Sequence, residues 1–287
     1  MRYEAPKTVD EAVALMAKES GQARVLAGGT DLLVQMRGGN LEPDLVVDIK
    51  RIPGMRDIVA ENGGFRIGAA VPSAELGEHK DVRKAWPGVV EAAKLIGSTQ
   101  IQGRATIVGN LCNASPAADS VPAMIAAETT ARIVGPKGQR DVPVGDIATA
   151  PGKTSLAKGE FVASVFLPKR PAHSGDAYLR FIPRTEMDIA VVGVGVSVTL
   201  DGAGKITAAR VSLGAVAARA LLVEDAAKAL IGTKGDDAAM EKLAAAASAA
   251  AKPIDDKRGT KEFRTKVVGV LARRAAGIAI ERAGSKA

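Results

Sequence analysis

The sequence predicts an α+β protein of two domains, and three observations support that prediction. At 287 residues the chain is longer than a usual single domain. Helix and strand patterns follow one another over its first part, whereas three apolar strands and then helices occupy the last part. Between the two parts, "PKRPAHSGD" at 168–176 has the composition of a linker. We therefore expect one domain at residues 1–172, with subdomains at about 1–55 and 56–172, and a second at 173–287.

The first subdomain opens with a strand and a helix. Thr8 is predicted to cap this helix, and Glu11 stands where a capping box needs an acid. The short apolar strand "ARVLA" comes next, and "GGTD" then turns the chain into a second helix, "LLVQMR", which Gly38 and Gly39 end. The strand "PDLVVDIK" closes the subdomain before a Pro-Gly turn.

The second subdomain begins with the strand "GGFRIGAAV" and a helix at "SAELGE", which Ser73 is predicted to cap. Residues 88–97 have a helical pattern, and a stretch of small side chains follows at 103–119. "DSVPAMIAAE" is predicted to be a short helix with Asp119 as its N-cap. The strands "TARIVG" and "EFVASVFLP" flank a Gly- and Pro-rich region at 135–159.

Three apolar segments, "AYLRFIPR", "IAVVGVGVSVTL" and "ITAARVSLGAV", predict the strands of the second domain. Helices are expected to follow at 237–252 and 260–280. In the last helix the apolar residues at helical spacing predict the buried face, namely Phe263, Val267, Val270 and Leu271.

Composition excludes several kinds of chemistry. Cys112 is the only cysteine and there are two histidines, so no metal centre is expected, because structural zinc and iron–sulfur clusters need about four such ligands. The single cysteine and the lack of a signal-peptide pattern predict a cytoplasmic protein, and no apolar run is long enough for a membrane span. A net charge of +7 favours anionic partners, but no basic stripe with interleaved aromatic residues indicates nucleic acid.

Two stretches of small residues have the character of anion-binding loops. In "AGGTDLL" at 27–33, a strand ends in two glycines and a helix begins, so free backbone N–H groups could approach a phosphate. In "TIVGNLCNASPAAD" at 106–119, the small side chains would again expose the backbone. Taken alone, the first stretch is better explained as a tight β–α connection, and the second is equally compatible with a packed loop in which Asp119 is only a helix cap. Together they suggest a nucleotide-type cofactor.

The two stretches, in this order, resemble the FAD loops of the flavin subunit of the molybdenum hydroxylases, the family of xanthine dehydrogenase and carbon monoxide dehydrogenase. "IGSTQIQGRATIVGN", "RTEMDIAVVGVGV" and "EFRTKVVGVLARRA" extend the resemblance over the whole chain. The resemblance implies a two-subdomain FAD-binding domain of the vanillyl-alcohol-oxidase (PCMH) type. An α+β C-terminal domain with a three-stranded antiparallel sheet and helices would follow it.

The resemblance also implies which residues contact FAD. The first loop would wrap the diphosphate, the second would form another cradle beside it, and the remaining residues would lie near the cofactor. These residues are Arg24, Ala27, Gly28, Gly29, Thr30 and Asp31; Thr106, Ile107, Val108, Gly109 and Asn110; and Ile101, Asp119, Arg180 and Ile189. Relatives usually read "TIGGN" in the second loop, where this chain has Val108. No catalytic side chain is predicted, because the flavin itself carries the chemistry.

The implied role is an electron relay within a complex. A large molybdopterin-binding subunit would hydroxylate the substrate, and a small [2Fe–2S] subunit would pass electrons to FAD. NAD, a quinone or another acceptor would then be reduced, and the complex would be a dimer of heterotrimers. Two alternatives are a self-sufficient reductase of the same superfamily, similar to enolpyruvyl-sugar reductases, and an FAD-free scaffold subunit.

Overall fold

The N-terminal sheet is small and parallel. A computed structural model describes residues 1–285 of the chain. Its first three strands are β1 (Arg2–Glu4), β2 (Ala23–Leu26) and β3 (Leu45–Asp48), in the spatial order β1-β3-β2. The central strand β3 is buried along its whole length, which explains its unbroken apolar run. Two helices connect these strands, α1 (Val9–Lys18) and α2 (Leu32–Arg37).

The predicted capping box at α1 is confirmed in a modified form. The Thr8 hydroxyl accepts a hydrogen bond from the Glu11 amide at 3.1 Å. The Glu11 carboxylate reaches back to the Lys7 amide at 2.8 Å, one residue before the cap. Both ends of this turn are therefore fixed by side chains, as a capping box requires.

The second sheet is antiparallel and has five strands, in the order β4-β5-β10-β6-β7. Its strands, with the small hairpin β8–β9, are β4 (Ile58–Glu61), β5 (Gly64–Gly68), β6 (Thr130–Gly135), β7 (Gly138–Pro143), β8 (Ala148–Ala150), β9 (Lys153–Thr154) and β10 (Phe161–Leu167). The Gly- and Pro-rich region at 135–159, for which no strand was predicted, contains β7, β8 and β9. Strand β7 lies at the sheet edge and is almost fully exposed, so it lacks the apolar alternation that marks a strand.

Six short helices connect β5 to β6 on this sheet. They are α3 (Ser73–Glu78), α4 (Lys80–Ala85), α5 (Pro87–Ala93), α6 (Thr99–Gln102), α7 (Ile107–Cys112) and α8 (Ser120–Ala126). Ser73 is the first residue of α3, and the cap position belongs to Pro72, so the predicted Ser73 cap is wrong. Asp119 does occupy the predicted N-cap position of α8, but it has helical backbone angles and its carboxylate makes no capping hydrogen bond.

The C-terminal sheet has four antiparallel strands, one more than predicted. They are β11 (Ser174–Phe181), β12 (Val192–Leu200), β13 (Ile206–Gly214) and β14 (Leu221–Leu222), in sequential order. Strand β14 pairs only two residues with β13, which is too short to produce a pattern in the sequence. Three helices follow, α9 (Glu224–Leu230), α10 (Asp237–Ala250) and α11 (Lys261–Gly284).

Helix α11 buries a face built mainly from alanine, and only part of the predicted apolar stripe belongs to it: Leu271 is buried and Val267 packs against the core. Phe263 and Val270 are 41% and 42% exposed, whereas Val268 and four alanines of α11 are fully buried: Ala272, Ala275, Ala276 and Ala279. The reason is the closeness of helix and sheet. A Cβ on Gly175 of β11 would lie 1.9 Å from the Ala279 carbonyl oxygen, so only small side chains fit between the two elements.

The structure therefore confirms a mixed α+β fold with two hydrophobic cores. The larger core is built almost entirely from residues before 168, and the smaller one from residues after 176. The segment predicted to be a linker is firmly held: Arg170 pairs with buried Asp176 at 2.5 Å and stacks over the Trp86 ring at 4.9 Å. Among residues 1–285, no helix is both long and apolar enough to cross a membrane.

Candidate functional site

The first loop leaves β2 at the carboxyl edge of the parallel sheet, where ligands of such sheets bind. Gly29 has a φ of +80°, which a residue without a side chain adopts at no cost. Gly28 lies against the backbone of the second loop, because a Cβ there would be 2.0 Å from the Arg104 carbonyl oxygen. Within residues 1–285, the amides of Gly28, Gly29, Thr30 and Asp31 donate no hydrogen bond to the protein. These donors are free for a ligand.

The second loop is the first turn of α7 and not an irregular segment. The Thr106 hydroxyl caps the helix by accepting a hydrogen bond from the Gly109 amide at 2.8 Å. The amides of Ile107 and Val108 have no acceptor in the part of the chain that the structure describes. Val108 lies in helical backbone, where valine is sterically allowed, so its presence in place of glycine leaves the loop intact.

Both loops line one cavity of about 570 Å³. This volume lies within the range of small-molecule and cofactor sites. Most of the predicted contact residues are in its lining: Arg24, Ala27, Gly28, Gly29, Thr30, Asp31, Thr106, Val108, Gly109 and Asn110. Ile101, Ile107, Asp119, Arg180 and Ile189 lie outside the lining.

The cavity wall also contains residues outside the predicted contact set. They come from α2, from the turns after β3 and α5, from the end of α7, and from β9 and the segment after it, and include Gln35, Ile49, Ile96, Cys112, Asn113, Thr154 and Leu156. They are far apart in the sequence and carry ordinary side chains. Only the folded chain brings them together.

Side-chain hydrogen bonds hold the two loops in register. The side-chain nitrogen Nε2 of Gln35, in α2, donates a hydrogen bond to the side-chain oxygen Oδ1 of Asn113 at 2.9 Å. The Asn110 side-chain oxygen accepts from the amide and the hydroxyl of Ser120, at 3.1 and 2.7 Å. Helix α7 is thus connected to α2 on one side and to α8 on the other, so the free amides of both loops are fixed before a ligand arrives.

Asp119 forms a buried network with the C-terminal domain. Its carboxylate accepts hydrogen bonds from the Tyr178 hydroxyl at 3.0 Å and from Arg180 at 2.8 Å. Arg180 also donates to the Leu95 carbonyl at 2.7 Å. Burial raises the pKa of Asp119 to about 6, although the charge of Arg180 and the Tyr178 hydrogen bond act in the opposite direction. The network ties β11 to the segment that follows the second loop.

The Asp119 network predicts a pH-dependent stability. The pKa of Asp119 is about 6 in the folded chain and 3.8 in its ordinary state, so the folded chain binds more protons between these values. The contribution of Asp119 to stability is therefore present below the lower pKa and declines as the pH rises through that window. We expect the unfolding free energy of the wild type, minus that of Asp119→Asn, to fall with rising pH across the window and then level off. Urea unfolding at several pH values measures it, and parallel curves for the two proteins would contradict it.

Ile101 lies beside one end of the cavity, and Met187, two residues before Ile189, lies near the same place. Ile96 is in the cavity lining, and a Cβ on neighbouring Gly97 would lie 2.2 Å from the Ile101 δ-methyl group and 3.6 Å from the Met187 sulfur. Ile189, two residues after Met187, is 54% exposed. An apolar cluster thus adjoins the cavity and includes a surface that a bound ring could cover.

The titratable groups of the cavity supply neither a nucleophile nor a metal site. Burial raises the pKa of the Cys112 thiol to about 12, so the thiol stays protonated and unreactive. Burial also raises the pKa of Asp31, which lessens its repulsion of an anion in the cavity. Across residues 1–285, His, Cys, Asp and Glu side chains form no group that could hold a metal ion.

Comparison with known proteins gives two family matches that together span nearly the whole chain. Residues 1–170 match the FAD binding domain in molybdopterin dehydrogenase, and residues 177–279 match the CO dehydrogenase flavoprotein C-terminal domain. The carbon monoxide dehydrogenase medium chain of Afipia carboxidovorans is 34% identical over 99% of this chain and 97% of its own. The xanthine dehydrogenase FAD-binding subunit of Escherichia coli O157:H7 is 30% identical over 99% of this chain and 97% of its own.

Solved structures show the same similarity in three dimensions. CO dehydrogenase from Oligotropha carboxidovorans contains a chain that superposes with a TM-score of 0.94 at 34% identity, with 98% of each chain covered. Quinoline 2-oxidoreductase from Pseudomonas putida 86 gives a TM-score of 0.90 at 25% identity, over 99% of this chain and 98% of the other.

Proposed function

We infer the function from the family: this chain belongs to the FAD-binding medium subunits of the molybdenum hydroxylases. The chain is the flavin subunit of a molybdenum-containing hydroxylase or dehydrogenase complex, and FAD is its cofactor. This membership favours the flavin subunit over a self-sufficient reductase and over an FAD-free scaffold.

The observation that carries the proposal is the set of unpaired amides around the cavity. Gly28 to Asp31 supply four such donors, and Ile107 and Val108 supply two more. Backbone N–H groups without a protein partner must be satisfied by water or by a ligand, and those at a helix N-terminus point out at the positive end of the helix dipole. A diphosphate presents several acceptor oxygens and negative charge, which is what converging amides bind. A diphosphate must come close to the backbone to accept these hydrogen bonds, and this explains why both loops carry small side chains.

The residues of the site divide into two roles in this proposal. Those that line the cavity hold the diphosphate and ribose: Arg24, Ala27, Gly28, Gly29, Thr30, Asp31, Thr106, Val108, Gly109 and Asn110. Ile107 adds its amide, and Ile101 and Ile189 exclude water from the isoalloxazine face. Asp119 and Arg180 position the second loop through their buried pair and offer Asp119 as an acceptor at that end. Bound FAD supplies the exchange between two-electron and one-electron transfer, which no side chain of this chain provides.

The proposal extends to partners. The chain has one cysteine, so iron–sulfur clusters belong to another subunit. We place a large molybdopterin-binding subunit and a small [2Fe–2S] subunit beside it, in a dimer of heterotrimers. The electron acceptor is NAD, a quinone or another oxidant, and the complex is cytoplasmic. The chain divides at about residue 172, near the change from the larger to the smaller core.

The purified chain is expected to bind FAD at one molecule per chain. Apoprotein titrated with FAD should become yellow and quench the fluorescence of the flavin until the ratio reaches one. Quantifying flavin released by acid from a known amount of protein measures the ratio, and FMN, which lacks the diphosphate, is the matched control. Co-purification from the native source should also recover two further subunits. Protein that is colourless after incubation with excess FAD and removal of unbound flavin by gel filtration would contradict the proposal.

A further inference from the structure

Lys50 contacts the back of the first loop. Its side-chain amine donates to the Ala27 carbonyl oxygen at 3.1 Å. Lys50 follows strand β3 and is not in the cavity lining, whereas neighbouring Ile49 and the contacted Ala27 both are. Lys50 therefore reaches the loop from outside the cavity, on the side away from a ligand.

This contact fixes the direction of an amide. In a trans peptide the carbonyl oxygen and the following N–H group point in opposite directions in one plane. The Ala27 carbonyl points to Lys50, so the Gly28 N–H points away from Lys50. Gly28 is in the cavity lining and its amide donates to no acceptor in the described chain. Rotation of this peptide would turn the amide out of position and leave a carbonyl oxygen facing a phosphate.

Lys50 is itself held by Asp48 and Tyr3. Its amine lies 2.8 Å from a carboxylate oxygen of buried Asp48, and its backbone amide donates to the same oxygen at 3.0 Å. The second carboxylate oxygen accepts from the Tyr3 hydroxyl at 2.6 Å. Burial acts to raise the pKa of Asp48, but the hydrogen bonds from Lys50 and Tyr3 outweigh it and lower the pKa. The carboxylate therefore stays ionised and keeps its hold on the Lys50 amine.

We infer that Lys50 is a positioning residue for the cofactor: with Asp48 and Tyr3 it locks the Ala27–Gly28 peptide so that the Gly28 amide faces the diphosphate. This inference rests on the proposed function, since it assigns the anion to FAD. It adds a role for three residues that lie behind the loop and touch no ligand. The chain needs this support because Gly28 and Gly29 give the loop little stiffness of their own.

The test compares FAD binding by the full-length wild type, Lys50→Met and Lys50→Arg. We expect Lys50→Met to bind FAD about tenfold more weakly, in line with one hydrogen bond to a charged group. The ³¹P NMR signals of bound FAD should also shift, because a turned peptide changes the surroundings of the phosphates. Lys50→Arg keeps the charge and the donor and should restore both readouts. A role in stability alone would lower the apoprotein melting temperature without moving the ³¹P signals.

Two further variants complete the design. Lys228→Met removes an exposed lysine that pairs with Asp225 at 3.1 Å, and it should match the wild type in every measurement. Tyr3 is 55% exposed, so Tyr3→Phe should fold even if Lys50→Met does not, and it should shift the ³¹P signals in the same direction by less. Unchanged affinity and ³¹P signals in Lys50→Met, or in Tyr3→Phe if only that variant folds, would overturn this inference alone. A wild type that binds no FAD would overturn the proposed function and this inference with it.

Discussion

Replacing Gly28 by alanine is expected to reduce FAD affinity by on the order of 100-fold. A loss of this size corresponds to two to three amide hydrogen bonds. The added methyl carbon would lie 2.0 Å from the Arg104 carbonyl oxygen and 2.8 Å from its carbonyl carbon. These are backbone atoms, so no side-chain rotation can relieve the clash. The two loops must move apart, and hydrogen bonds to one diphosphate tolerate only small changes in distance. Fluorescence titration of the apoprotein with FAD measures the loss.

Gly103→Ala is the matched control for this prediction. Gly103 lies one residue before Arg104, has ordinary helical backbone angles, and has no atom within 4 Å of an added Cβ. FAD affinity and the apoprotein melting temperature should both stay at wild-type values. If Gly28→Ala bound FAD as tightly as Gly103→Ala does, the two loops would not form a joint site.

Replacing Arg170 by methionine is expected to destabilise the protein by about 3–5 kcal/mol, the usual effect of leaving a buried charge without its partner. Arg170 donates to Asp176 at 2.5 Å, to the Ser174 hydroxyl at 3.0 Å, and to the Ala85 carbonyl. Among residues 1–285, the Asp176 carboxylate would then accept only the Gly88 amide hydrogen bond at 2.8 Å, with Arg282 as the remaining nearby positive charge. This cluster joins α5, β11 and the segment between the two hydrophobic cores. The loss of the Arg170 contacts should therefore destabilise both cores. Urea-induced unfolding followed by far-UV circular dichroism measures the change.

Two controls distinguish the effect of leaving a buried charge unpaired from the effect of removing a long side chain. Arg56→Met removes an ion pair with Glu75 in which both side chains are about half exposed. It should lower the free energy of unfolding by less than about 1 kcal/mol. The double variant Arg170→Met and Asp176→Asn removes both charges, so it should be more stable than Arg170→Met alone. A stability of Arg170→Met equal to that of Arg56→Met would contradict the prediction.

Sequence reasoning failed at particular elements for identifiable reasons. Strand β7 was not predicted because its residues face solvent. In the predicted α11 stripe, Phe263 and Val270 are exposed because the tight contact with β11 selects alanine over larger apolar side chains. The segment around Arg170 has the proline, glycine and charge content of a linker. Its role comes from partners such as Ala85, which lie far away in the chain. Local composition contains no information about such partners.

The α+β class, the order of most helices and strands, and the two small-residue loops can be predicted from the sequence alone, because each depends on residues within one or two turns of chain. The resemblance of those loops also pointed to the family that the comparisons establish. Only the folded chain shows which residues share the cavity, that Gln35 bonds to Asn113, and that the Asp119 carboxylate pairs with Arg180 instead of accepting from a helix amide. These features depend on contacts between distant segments, and packing of the whole chain sets such contacts, whereas propensity and periodicity describe only neighbours.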